Sequence, residues 1–137
     1  MQWTPNLSVG VEEIDNQHKE LFNRINNLVD AIKDHTCKYK IGDVIQFLED
    51  YIHTHFDTEE GYMVRFSYPE YPAHKAQHEI FKRNFAELRG ELEAIEGGRM
   101  KGSYDLSVHT NQVVVDWILE HISTVDKRLG SFLKDKI

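Results

Sequence analysis

Apolar residues recur along this chain at alternating steps of four and three. Ile14, Leu21, Ile25, Leu28 and Ile32 form one such series, with His18 filling the missing step. That is the spacing of one buried stripe on an α-helix, and it predicts a helix from about Val11 to Asp34. A second series, Val44, Leu48, Ile52, His55, Glu59 and Met63, predicts a helix from about Ile41 to Phe66. A third, His74, His78, Phe81, Phe85, Leu88, Leu92 and Ile95, predicts one from about Pro72 to Glu96. The last places Val114, Trp117, His121 and Val125 inward with Ile118 and Ile122 beside them, from about Tyr104 to past Asp126. The breaks are His35-Thr36-Cys37-Lys38 with Gly42, Tyr68-Pro69-Glu70-Tyr71-Pro72, and Gly97-Gly98 with Gly102-Ser103. Each proline disfavours helix at the residue before it. Strand-type alternation is weak, and only the β-branched run Val113-Val114-Val115 offers a strand as a competitor. The pattern predicts an all-α fold: one domain, residues 1–137, built as an antiparallel up-down-up-down four-helix bundle. Residues 1–10 lack a helical period and read as an N-terminal arm, tucked onto the bundle by Trp3.

The seams contain side chains foreign to an apolar core. His18, His55, Glu59, His74, His78 and His121 take core-facing steps. A buried carboxylate without compensation costs several kcal/mol or a large pKa shift, and a cation compensates it directly. In an up-down-up-down bundle the start of the first helix, the end of the second, the start of the third and the later part of the fourth share one end. His18, His55, Glu59, His74, His78, His121 and Asp126 therefore fall in one layer. Taken singly, each histidine reads as an ordinary surface or hydrogen-bonded residue; together they point to metal. His55 and Glu59 are four apart, as are His74 and His78, so each pair shares a face. His121 and Asp126 are five apart, which suits a regular helix poorly. Either the fourth helix widens locally, as a π-bulge does, or the carboxylate reaches around. His35, His53 and His109 fall off the seams and read as solvent histidines.

Five imidazoles and two carboxylates are too many for one ion and suit two. Nitrogen with a minority of oxygen favours iron, copper, zinc or nickel over magnesium or calcium. If both carboxylates and one solvent-derived oxygen bridge the pair, two octahedra are left one donor short. The open position is where a small molecule binds. Leu21, Phe22, Phe56, Trp117, Ile118 and Ile122 lie within a helical turn of the ligands and make the surroundings dry.

Composition narrows the partners. The net charge is -7, and no basic stripe is present to neutralise phosphates, which argues against nucleic acid. No stretch approaches the roughly 18 uninterrupted apolar residues of a membrane span, so membrane insertion is not expected. The N-terminus shows no signal-peptide pattern, and the lone Cys37 allows no intrachain disulfide. Both fit a cytoplasmic location. No protein partner is legible.

The motifs together resemble one known family, the hemerythrins, and in particular their bacterial members. Trp3 with Ser8-Val9-Gly10-Val11, and Ile14-Asp15-x-Gln17-His18-Lys19-x-Leu21-Phe22, are similar to that family's opening stretch. His55-Phe56-x-x-Glu59-Glu60-x-x-Met63, Tyr68-Pro69 with His74-Lys75-x-x-His78, and Trp117-Ile118-x-x-His121-Ile122-x-x-x-Asp126 resemble its later motifs. The resemblance implies a non-haem centre of two Fe ions, bridged by Glu59, Asp126 and an oxo or hydroxo group. His74, His78 and His121 would complete one iron; His18 and His55 would bind the other, leaving a position for O2. It implies reversible dioxygen binding for transport, storage or delivery. Few further ionisable groups stand near the site for acid–base work, so no enzymatic activity is expected. Competing expectations are an oxygen or redox sensing domain, a di-iron peroxidase or iron oxidase, and a structural zinc bundle. Ile118 stands where the family often has leucine.

Overall fold

The structure is a computed structural model in which residues 2–33, 41–96 and 110–137 are described. Helix α1 spans Glu12–Lys33, α2 Ile41–Arg65 and α3 Tyr71–Glu96. Helix α4 is a continuous run of four segments: a π turn Asn111–Asp116, an α turn Trp117–His121, a second π turn Ile122–Asp126 and an α segment Lys127–Leu133. The valine run 113–115 is thus helical, and the widening expected near His121 is present. His35, Cys37, His109, both glycine-containing breaks after residue 96 and the predicted start of the fourth helix lie outside the described residues. So do the side chains of Ile32, Leu92 and Ile95.

Cross-helix contacts fix the topology. Tyr62 bonds Glu13, Gln17 bonds Thr58, and Arg24 reaches the Phe47 carbonyl, so α1 and α2 run in opposite directions. Glu60 faces His78 while Glu49 faces Arg89, reversing α3 against α2. Arg128 meets Glu70 and His121 meets Gln77, reversing α4 against α3. Helix α4 packs back on α1 and closes an antiparallel four-helix bundle.

Two apolar clusters fill it. The larger contains Leu21, Phe22, Ile25, Leu28, Ile45, Leu48, Phe56, Phe81, Leu88, Val114 and Ile118, each worth about 1.5–3 kcal/mol on full burial. The smaller, Val9, Val11, Ile14, Met63, Tyr68, Leu129 and Leu133, caps the opposite end. The polar layer lies between them.

The arm is more ordered than its lack of helical period suggests. Pro5–Leu7 form a 3-10 turn, and half-buried Trp3 packs against the larger cluster with the Lys19 ammonium 4.5 Å from its ring centroid. Asp15 accepts hydrogen bonds from the Ser8 hydroxyl and the Val9 amide, and Gly10 turns the chain at φ 85°. Val9 then lies on Gly130 of α4, where a Cβ would come 1.9 Å from the Val9 carbonyl oxygen. Helix α2 ends in a Schellman motif: Ser67 N–H bonds the Val64 carbonyl at 3.3 Å and Tyr68 N–H the Met63 carbonyl at 2.9 Å. Ser67 takes the left-handed position at φ 55°.

Candidate metal centre

His18, His55, Glu59, His74, His78, His121 and Asp126 meet in the layer between the two apolar clusters, and all are buried. Helical spacing sets each on the inner face of its helix; the opposed helix directions bring them to one level. Helix α4 contributes the exception. A π turn closes hydrogen bonds five residues apart, and through it His121 and Asp126 share a face, with His121 Nε2 3.0 Å from Asp126 Oδ1. The carboxylate does not reach around the helix.

The donors form two overlapping sets. Glu59, His74, His78, His121 and Asp126 present ligand atoms within 4.8 Å of one another, and so do His18, His55, Glu59 and Asp126. Both carboxylates belong to both sets. Asp126 lies 3.0 Å from His18 Nε2 and 3.1 Å from His74 Nε2. Glu59 lies 3.2 Å from His78 Nε2, 3.5 Å from His55 Nε2 and 3.7 Å from His74 Nε2.

Outer partners decide what these approaches mean. His55 Nδ1 donates to Gln17 Oε1 at 2.7 Å, and Gln17 Nε2 donates to Thr58 Oγ1, which fixes the amide's orientation. His121 Nδ1 donates to Gln77 Oε1 at 2.9 Å and His78 Nδ1 to Glu60 Oε2 at 3.1 Å. A neutral imidazole with its hydrogen on Nδ1 has a bare lone pair on Nε2. Those lone pairs face carboxylate oxygens, and the Nε2 atoms of His18, His74, His78 and His121 and all four oxygens of Glu59 and Asp126 are buried without a hydrogen-bond partner among the described residues. Lone pairs aimed at lone pairs repel; a cation between them reverses the sign.

Protonation of His55 and His78 is no substitute. Burial, with the neighbouring imidazoles His74 and His121, lowers the His78 pKa to about 2. Burial and the adjacent His18 hold His55 well below 6.5. Burial and the Asp126 carboxylate push Glu59 well up. The residues fit a pair of cations: imidazole nitrogens and two shared carboxylates, oriented from behind and short of positive charge.

Stacked rings restrain the imidazoles further. Phe56 lies on His78 at 3.8 Å and 4°, and Trp117 on His121 at 4.5 Å and 13°. Leu21, Phe22, Phe56, Ile118 and Ile122 are buried as expected, whereas Trp117 is half-buried and lines a groove of about 450 Å³ beside Gln77 and His121. His53 is exposed. Sequence spacing alone assigns the outer acceptors no role. Their signal is positional: Gln17, Glu60 and Gln77 each adjoin a cluster residue in sequence, yet each serves a histidine on the next helix.

Comparison with known proteins agrees with this geometry. Residues 9–133 match the family described as "Hemerythrin HHE cation binding domain". The chain is 32% identical over 134 residues to the bacteriohemerythrin of Methylococcus capsulatus, covering 97% of this chain and 96% of that protein. It is 32% identical over 133 residues to a hemerythrin of Sipunculus nudus, covering 96% and 92%. A solved wild-type hemerythrin superposes with a TM-score of 0.81 at 32% identity, covering 98% of each chain. Fold, the buried layer of imidazoles and carboxylates, and sequence point the same way, and the chain belongs to the hemerythrin family.

Proposed function

We propose that the seven clustered side chains hold two iron ions and that the loaded protein binds dioxygen reversibly, for transport, storage or delivery, without acting as an enzyme. In this reading His74, His78 and His121 serve one iron, His18 and His55 the other, and Glu59 and Asp126 both. The observation that carries it is the pair of overlapping donor sets with both carboxylates in common. The smaller set has one imidazole fewer, which favours dioxygen as its added ligand. Iron, when bound, supplies the electrons that dioxygen takes on binding and returns on release.

The chain's own residues do the rest. Gln17, Glu60 and Gln77 hold three imidazoles in the tautomer that turns Nε2 inward. Phe56 and Trp117 fix ring planes by stacking. Leu21, Phe22, Ile118 and Ile122 keep the layer dry, which opposes loss of oxygen in a reduced form. Membership of the hemerythrin family supports iron over zinc. No helix among the described residues is long and apolar enough to cross a membrane, and the cytoplasmic location is part of the proposal.

The test is metal analysis combined with optical titration. Two irons per chain are expected, with a visible absorption that appears on exposing the reduced protein to oxygen and disappears on degassing. Zinc in place of iron, or a band that forms once and never reverses, rejects the reading.

A further inference from the structure

The three outer acceptors form a relay around the bundle, and they are not alike. Gln17 on α1 serves His55 on α2, Glu60 on α2 serves His78 on α3, and Gln77 on α3 serves His121 on α4. Two are neutral amides and one is a carboxylate. Among the described residues the Nδ1 atoms of His18 and His74 have no hydrogen-bond partner. A full negative charge therefore stands behind one imidazole, and that imidazole belongs to the larger donor set. Glu60 is mostly buried, at 15% side-chain exposure, and its other oxygen lies 4.0 Å from the Lys75 ammonium. With the Phe56 ring stacked on its face, His78 is held on two sides.

A carboxylate accepting an imidazole N–H draws the proton toward itself and makes the opposite nitrogen a stronger donor; an amide oxygen does so more weakly. A stronger donor favours the more highly charged metal ion. We propose that Glu60, acting through His78, makes the ion held by His74, His78 and His121 the first of the pair to be oxidised, while the amide of Gln17 leaves the ion beside His18 and His55 the longer in its reduced form. Glu60 is thus a positioning residue that sets the order of electron loss. Each step transfers one electron from one ferrous ion to an external one-electron oxidant, with no bond made or broken in the protein. The inference rests on the di-iron reading.

The experiment compares wild type with Glu60→Gln and Gln17→Glu, which keep an acceptor of the same shape while moving the charge. Reduced, iron-loaded protein is titrated with ferricyanide and mediators. In Glu60→Gln the first oxidation should be harder by about tenfold in its equilibrium constant, with the second little changed. In Gln17→Glu the second should become easier. A first step unchanged in Glu60→Gln overturns the proposal, because a purely structural hydrogen bond would survive that exchange. A second arm uses zinc-loaded protein and proton NMR. The His78 Nδ1–H resonance should lie downfield of those of His55 and His121 and move toward them in Glu60→Gln; coincident resonances in wild type also overturn it. Failure of the di-iron reading shows separately, as wild-type protein that takes up no iron, and the zinc arm then decides whether Glu60 sets the charge at His78.

Discussion

Glu59 and Asp126 lie side by side at complete burial, among imidazoles of which burial holds His55 and His78 neutral. Without a cation the arrangement is costly, and the raised pKa of Glu59 expresses that cost. Glu59→Gln should therefore stabilise the metal-free protein at about pH 7, where burial penalises ionisation of Glu59, while abolishing stable occupancy of both halves. Urea denaturation in chelator, paired with metal content, checks this; a metal-free variant less stable than wild type would refute it. The cluster residues were legible in the sequence because histidine and glutamate at core-facing steps break an apolar rhythm. Gln17 and Gln77 break nothing. Each is a polar residue beside a seam, and its role exists only once the next helix is in place.

At the scale of the element, α4 shows where periodicity misleads. A stripe drawn at regular helical steps turns Asp126 away from His121, and only the wider turn Ile122–Asp126 restores a common face. Hydrogen-bond register is a backbone property that side-chain spacing reports indirectly, so the need for a widening was visible and the choice between remedies was not. The end of α2 was legible through Pro69 and Pro72, but not through Ser67, whose left-handed backbone carries no glycine to announce it. The order of the arm was hidden for a different reason: it comes from Asp15 and Gly130, both on other elements. Gly130→Ala should cost about 1–3 kcal/mol by overpacking, since the new methyl would enter the Val9 backbone. A denaturation midpoint equal to that of wild type would show that the arm yields without penalty.

At the scale of the whole molecule, the layer makes stability depend on both pH and metal. In the metal-free protein His55 and His78 titrate below their ordinary value of 6.5. The unfolded chain then binds protons that the folded one refuses, so their contribution is intact above about 6.5 and is lost progressively as pH falls below it. Glu59 has the opposite sign: its contribution is full below 4.5 and is lost as pH rises through its elevated value. Metal binding removes the second penalty and requires neutral imidazoles. The stabilisation by metal should therefore be larger at about pH 7 than at about pH 5. At about pH 7, with free metal at about a hundred times the Kd that holds there, each ion should contribute about 2.7 kcal/mol. Thermal unfolding with and without metal at the two pH values measures it, and equal differences would contradict the assignment. The bundle itself was legible because its long seams are regular and its connections short; register between helices was not, since it rests on pairs such as Arg89 with Glu49 that only the assembled fold brings together.

Every one of α1 to α4 contributes at least one side chain to the polar layer. Each donor set draws on three helices, so only a pair of ions seated there acts as a common knot, and with both in place no helix of the bundle can leave without first giving up its share. Opening of the loaded protein must then begin at the distal tip, where Leu28, Val44, Leu88 and Val114 meet, and travel inward. Removing the pair unties the other tip and reverses the direction of unravelling, a reversal that amide exchange would read helix by helix.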